Sequence, residues 1–194
     1  PFDIRVNTFP GDMYLKIDDT ELIPGVDYIV DPLSCSTSGT YPVYYARADK
    51  LTTVEALGKL MEESTGKFLV IDMREIAALN KEASAKVNEF INLLKYNPKI
   101  KSAGTMLMTN QKLPWGIAAD QSDKPAVTVN RDVEIKKKSM VDIQIKADYR
   151  RLTTNNVIGY IEGRQHPDSF LVVTAHYDHL GKMGATAYFP GAND

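Results

Sequence analysis

The chain has 194 residues, 43% of them hydrophobic, which is enough to bury one or two domain cores. Its 23 Lys and Arg and 25 Asp and Glu give a net charge of -2, which excludes a strong overall field for binding nucleic acid or anionic lipid. No window approaches the roughly 18 apolar residues of a membrane span, and the single cysteine, Cys35, excludes an internal disulfide and a cysteine-based zinc cluster.

The first 43 residues are rich in Pro, Gly, Asp and Tyr, which predicts loops and edge strands rather than helix. Residues 52–55 have the spacing of a capping box. The apolar residues that follow repeat at helical spacing until Gly66, which predicts a first helix. The short apolar run at residues 68–71 then predicts a buried strand.

A second helix and a second strand follow this run. Residues 80–95 place their apolar side chains on one helical face, and Pro98 ends the pattern. Residues 105–108 form the next apolar run. Strand, helix and strand in this order predict a parallel βαβ unit and an α/β fold.

The remaining apolar runs predict further strands, at residues 126–129, 141–146, 157–162 and 170–175. A polar stretch at residues 149–155 separates the second of these strands from the third. We therefore predict a domain boundary near residue 147. An accessory α/β domain occupies residues 1–146, and the first strands of a second α/β domain occupy residues 147–194.

Residues that bind metals follow the last predicted strand. His176, Asp178 and His179 come directly after residues 170–175, and the carboxyl end of a strand is where open α/β sheets place ligands. An imidazole binds zinc through one nitrogen, and a carboxylate can accept the other ring N–H. In an extended chain His176 and Asp178 project to the same side. A second carboxylate, Asp194, closes the glycine-containing loop 190–194.

Three motifs in this region together resemble the co-catalytic two-zinc aminopeptidases, a family that includes bacterial leucine aminopeptidases and, more distantly, glutamate carboxypeptidase. The motifs are NVIG at residues 156–159, VVTAHYD at residues 172–178 and PGAND at residues 190–194. The resemblance implies that His176 ligates one zinc, that Asp194 bridges both zinc ions, and that Asp178 orients His176. His179 matches no ligand of the family and is expected to line the pocket.

The middle of the chain resembles a protease-associated domain, a module that accompanies such aminopeptidases and covers or positions their substrate. The resemblance rests on GKFLVID at residues 66–72, SAGTMLM at residues 102–108 and KPAVTV at residues 124–129. Trp115 lies on the loop between the last two motifs. Its indole either touches peptide substrate or packs on the core of its own domain, and we favour the second interpretation.

These resemblances imply that the parent protein is a zinc exopeptidase, which hydrolyses the amino-terminal bond of a peptide with a metal-activated water. In the family the general base and the remaining zinc ligands follow the bridging aspartate. We therefore expect the chain, which ends at Asp194, to hold zinc weakly and to be inactive alone.

The same reasoning predicts the partners and the location. The expected partner is peptide substrate, without nucleic acid and without a membrane span. Because the helices that would cover the terminal strand are missing, the chain is also expected to associate with itself through this strand. We expect a periplasmic or secreted protein, although the chain begins at Pro1 and carries no recognisable signal peptide.

Two alternatives stay open. The chain could act as a protease-associated module that binds peptide or protein without catalysis. It could also belong to the metallo-β-lactamase type of hydrolase, whose signature His-x-His-x-Asp-His ends as residues 176–179 do. Thr174 stands where that signature requires its first histidine, which argues against the second alternative.

Overall fold

The computed structural model describes every residue except 75, 131, 137, 167, 177 and 192–194, and it gives residue 77 by its main chain only. The described part contains helices α1 (Val54–Glu63) and α2 (Lys81–Tyr96) and 3-10 turns at Ala48–Lys50 and Ile76–Ala78. No helix in this part is long and apolar enough to cross a membrane. The strands are β1 (Phe2–Thr8), β2 (Tyr14–Ile17), β3 (Thr20–Leu22), β4 (Tyr28–Val30), β5 (Thr37–Arg47), β6 (Phe68–Asp72), β7 (Gly104–Met108), β8 (Ala126–Val129), β9 (Met140–Ile145), β10 (Asp148–Thr154), β11 (Gly181–Met183) and β12 (Ala187–Phe189).

The largest sheet has eight strands in the order β3-β2-β9-β5-β6-β7-β8-β4. Strands β5, β6, β7 and β8 run parallel to one another, whereas the flanking strands pair in antiparallel fashion. Strand β6 pairs with β7 from Phe68 opposite Gly104 to Asp72 opposite Met108, and α2 connects them. The predicted βαβ unit and the α/β class are thus confirmed.

Side chains of polar residues cap both helices. Thr53 accepts a hydrogen bond from the amide N–H of Ala56 at 3.2 Å, so the cap of α1 lies one residue after the predicted position. Asn80 accepts from the amide N–H of Ala83 at 2.9 Å and caps α2, which begins one residue later than the predicted pattern. Each cap satisfies an amide that has no partner within its helix.

Strand β6 is buried on both faces, because all of its residues are buried. Leu69 and Ile71 belong to a helix-side core, whereas Phe68 and Val70 belong to a strand-side core on the opposite face. The helix-side core includes Leu57 and Leu60 of α1 and Val87, Phe90, Ile91 and Leu94 of α2. The strand-side core includes Leu15, Ile17, Leu22, Tyr28, Val30, Met106, Met108, Val127, Val129, Val141 and Ile143.

The N-terminal region is more regular than its composition suggests. Residues 37–47 form β5, an 11-residue strand between β9 and β6, where the sequence predicts loops and edge strands. Its burial alternates only weakly between half-buried and exposed positions, so the usual period-2 apolar signal is faint. The polar stretch at residues 149–155 largely forms β10, which pairs antiparallel with β1 as a two-stranded ribbon.

Two predicted strands are not formed. Residues 157–162 and 170–175 contain no strand, and their apolar side chains are exposed, with Ile161 at 96% and Leu171 at 93%. A strand requires a hydrogen-bonding neighbour, and within the described residues nothing pairs with either segment. The apolar composition of these two segments predicts that they are buried, but in this structure their side chains are exposed.

Strands β11 and β12 form a hairpin that packs on the strand-side core. Met183 is fully buried, and its Sδ accepts a hydrogen bond from the amide N–H of Val30 at 3.2 Å. Gly184 turns the chain with a φ of 66° and donates its N–H to the carbonyl oxygen of Phe9 at 2.8 Å. Ala187 is buried beside them. Residues 181–189, which the sequence assigns to the second domain, thus complete the core of the first.

A charged network closes the carboxyl end of β6. Arg74 donates to the buried carboxylate of Asp72 through Nε at 2.9 Å and Nη2 at 2.6 Å, and Tyr45 donates its hydroxyl to the same carboxylate at 2.7 Å. The Arg74 guanidinium, followed by the Tyr45 hydroxyl, lowers the pKa of Asp72 to about 2. Arg74 also donates to Asp132 at 2.6 Å.

We predict that Asp72 stabilises the fold above its ordinary pKa of 3.8 and that this contribution disappears as the pH falls toward about 2. Asp72→Asn should therefore lower the free energy of unfolding by about 2 kcal/mol at pH 7, with the difference from wild type narrowing below pH 3.8. Asp132→Asn, which removes the exposed partner of the same Arg74, should cost roughly 0–1 kcal/mol. Urea denaturation across this pH range tests the prediction, and parallel curves for wild type and Asp72→Asn would contradict it.

We also predict that Met183→Ala lowers the free energy of unfolding by about 2–5 kcal/mol, because it empties a buried site in the strand-side core. The matched control is Tyr188→Ala on the same hairpin, where the side chain is 70% exposed and the cost should stay within about 0.5 kcal/mol. Urea denaturation at neutral pH measures both. Wild-type stability in Met183→Ala would mean that the hairpin does not belong to this core.

Candidate functional site

His176 and Asp178 are in contact, as the sequence predicts, but the contact is made by the main-chain oxygen of Asp178 and not by its carboxylate. Nδ1 of His176 lies 2.7 Å from the main-chain oxygen of Asp178 and 3.6 Å from its Oδ1. A carbonyl oxygen only accepts hydrogen bonds, so Nδ1 carries the proton and Nε2 of the neutral ring keeps its lone pair. The carbonyl of Asp178, rather than its carboxylate, therefore orients the ring in this structure. Both side chains are largely exposed, at 62% and 88%.

His179 contacts two residues at the end of hairpin β11–β12, which follows it. Its Nδ1 donates to the carbonyl oxygen of Phe189 at 3.0 Å, across the base of hairpin β11–β12. Gly191 lies against the same imidazole, and a Cβ at this position would collide with the ring. His179 thus joins the segment that carries His176 and Asp178 to the chain just beyond the hairpin.

Trp115 connects the accessory domain to the same hairpin. Its Nε1 donates to the carbonyl oxygen of Val30 at 2.9 Å, and its ring stacks on Phe189 with centroids 4.5 Å apart and planes 25° apart. The indole is partly buried against the strand-side core. The interpretation that Trp115 packs on its own chain is confirmed.

Sequence reasoning did not single out Met183, Ala187 or Phe189. The signal that could have found them is the alternation of side chains on either side of Gly184, with Met183, Ala187 and Phe189 apolar and Lys182 polar. A short hairpin with one apolar face requires a surface to cover that face. The strand-side core supplies this surface.

Asp194, the predicted bridging ligand, lies outside the described residues, so its relation to His176 stays a prediction. Among the described residues, no group of three or more His, Cys, Asp or Glu side chains is placed to hold a metal ion. The imidazole nitrogen and the carboxylates of the motifs are donors that zinc accepts, and Nε2 of His176 is available as the lone-pair donor. The chemistry of the donors fits zinc, whereas His176 and Asp178 alone are fewer than the three protein ligands of a catalytic site.

A separate cleft of about 580 Å³ lies at the carboxyl edge of the parallel strands. Residues after β6 and β8 contribute to its walls, together with a tyrosine of β5. Open α/β sheets place ligands at this edge. The lining residues are Tyr45, Arg74, Asp132, Val133, Glu134 and Ile135.

Comparison with known proteins identifies the C-terminal segment. Residues 156–194 match the model of Peptidase family M28. No curated protein matches the chain significantly by sequence. Among solved structures, an aminopeptidase from Aneurinibacillus sp. strain AM-1 aligns with a TM-score of 0.47 and 15% identity, over 78% of this chain and 34% of that chain.

That structural overlap is too loose to define a shared fold, and the chain spans about a third of the length of that aminopeptidase. The family match carries more weight because it covers the residues that hold all three motifs. The resemblance of residues 156–194 to a peptidase family is therefore confirmed, and that family is Peptidase family M28.

Proposed function

We propose that this chain is part of a zinc-dependent aminopeptidase, which hydrolyses the first peptide bond of its substrate. The observation that carries the proposal is the match of residues 156–194 to Peptidase family M28, since this segment contains His176, Asp178 and Asp194. When bound, zinc supplies Lewis-acid activation of the attacking water.

Each motif residue has a defined task in this proposal. His176 donates the Nε2 lone pair to one zinc, because its Nδ1 proton is engaged by the carbonyl of Asp178. The carboxylate of Asp178 lies 3.6 Å from Nδ1, beyond hydrogen-bond distance, and adds an electrostatic attraction to the ring from outside the metal shell. Asp194 would hold zinc through its carboxylate, as the resemblance implies.

The accessory domain at residues 1–146 acts as a cover or substrate-positioning module in the proposed enzyme. Its contacts with hairpin β11–β12 hold it next to the peptidase-like segment. The proposed substrate is a peptide in a periplasmic or extracellular space. The exposed apolar residues of segments 157–162 and 170–175 support self-association of the isolated chain.

A second candidate function is peptide binding without catalysis, and the cleft at the carboxyl edge of the sheet favours it. Glu134 on the cleft wall supplies a carboxylate for a cationic peptide amino terminus, whereas the carboxylate of Asp132 is already paired with Arg74. Hydrolysis of peptide by the complete protein separates this function from the first, because a binding module releases no amino acid.

The catalytic proposal is tested by substitutions in the complete protein. His176→Ala should remove one zinc and nearly all aminopeptidase activity, because it deletes a direct ligand. Asp178→Asn should retain both zinc ions and weaken metal binding or activity roughly 10 to 100-fold. His166→Ala, a histidine of the same segment outside the motifs, is the matched control and should behave as wild type. Metal analysis and aminoacyl p-nitroanilide kinetics give the answer, and full activity in His176→Ala would exclude the proposed zinc site.

The isolated chain should behave differently from the complete protein. With His176 and Asp194 as its only predicted ligands, it should be purified without stoichiometric zinc and should not hydrolyse aminoacyl p-nitroanilides. Elemental analysis and a peptidase assay on the same preparation test this. Tight stoichiometric zinc in the isolated chain would mean that the ligand assignment is incomplete.

A further inference from the structure

His179 lies in the motif region, and the proposed reaction assigns it no task, although its ring makes specific contacts. It follows Asp178 directly and donates through Nδ1 to the carbonyl oxygen of Phe189. Ten residues of chain separate His179 from Phe189, and the hairpin brings them to 3.0 Å. The ring therefore spans the base of hairpin β11–β12.

The same ring also contacts the chain after the hairpin. Gly191 lies so close to the imidazole that a Cβ would collide with it, so the main chain at residue 191 is in direct contact with His179. Asp194 follows three residues later in the sequence. The entry to the predicted bridging ligand is thereby tied to the segment of His176.

The hairpin itself is held by the accessory domain. Met183 is fully buried in the strand-side core, and the ring of Phe189 stacks on Trp115. The carbonyl that His179 contacts therefore belongs to a residue whose side chain is fixed by another part of the chain. A hydrogen bond to a fixed acceptor restricts a histidine more than one to a mobile loop.

We propose that His179 is a positioning residue of the zinc site, which clamps the segment of His176 and Asp178 to the chain leading to Asp194. The clamp is anchored in the accessory domain through Phe189, Trp115 and Met183. This inference rests on the proposed function, because it assigns His179 to the same site. It also gives the accessory domain a second task, which is to hold the end of hairpin β11–β12 against His179.

The position of the proton on the His179 ring tests the contact with Phe189, and it can be measured without bound metal and without an activity assay. In this chain, nitrogen-15 NMR should show His179 protonated at Nδ1, as its contact with the carbonyl of Phe189 requires. His166 is exposed and provides the internal control, for which we expect the Nε2–H form that predominates in water. A spectrum in which His179 carries its proton on Nε2 would contradict the clamp.

The positioning role is tested in the complete protein. His179→Ala should weaken zinc binding, measured by chelator competition, roughly 10 to 100-fold, and should lower kcat more than it raises KM. His179→Asn keeps an amide N–H near the position of Nδ1 and should recover most of the zinc affinity. Tyr188→Ala, on the exposed face of the hairpin, should match wild type.

The outcomes separate this inference from the proposed function. If the wild-type protein binds zinc and hydrolyses peptide while His179→Ala keeps wild-type zinc affinity, the positioning role is wrong and the aminopeptidase proposal stands. If His179→Ala and His179→Asn both lose one zinc completely, His179 is a ligand and not a positioning residue. If the wild-type protein has no peptidase activity, the proposed function itself fails.

Discussion

The structure depends on covering β6 on both faces. A strand in the middle of a parallel sheet exposes apolar side chains to either side, and each side requires its own layer. Helices α1 and α2 cover Leu69 and Ile71. The opposite face, with Phe68 and Val70, is covered by the flanking antiparallel strands and by Met183 and Ala187 of hairpin β11–β12.

This requirement explains why a hairpin from the peptidase-like segment belongs to the strand-side core. Residues 155–180 are irregular and largely exposed where they are described, but the chain returns to regular structure at Gly181. Because the chain becomes regular again at Gly181, the end of the hairpin lies beside His179, at Phe189 and Gly191. The burial that completes a core thus also fixes the residues that His179 contacts.

Much of the fold could be predicted from local pattern. The strand at residues 68–71, helix α2 and the strand at residues 105–108 have clear apolar periods, so both their type and their parallel pairing are correct. Strand β5 is not predicted because its positions alternate only between half-buried and exposed, which leaves no clear apolar pattern in the sequence. Residues 170–175 are wrongly predicted as a strand because an apolar run does not show whether neighbouring strands are present to pair with it.

The candidate site could also be predicted only in part, because some of its contacts join residues that are far apart in the sequence. The motif places His176 and Asp178 two residues apart, and their proximity follows from that spacing. The contact of His179 with Phe189 depends on the turn of the hairpin and on the core that covers it. Neither can be predicted from the spacing of residues in the motif. Trp115 and Phe189 lie 74 positions apart in the sequence, and only the folded core brings their rings together.

The most direct measurement of the central claim is anomalous diffraction at the zinc edge from crystals of the complete protein. The account predicts two zinc peaks, one within coordination distance of Nε2 of His176 and both within coordination distance of the carboxylate of Asp194. A map with no zinc peak next to His176, from protein that is active as an aminopeptidase, would contradict the account.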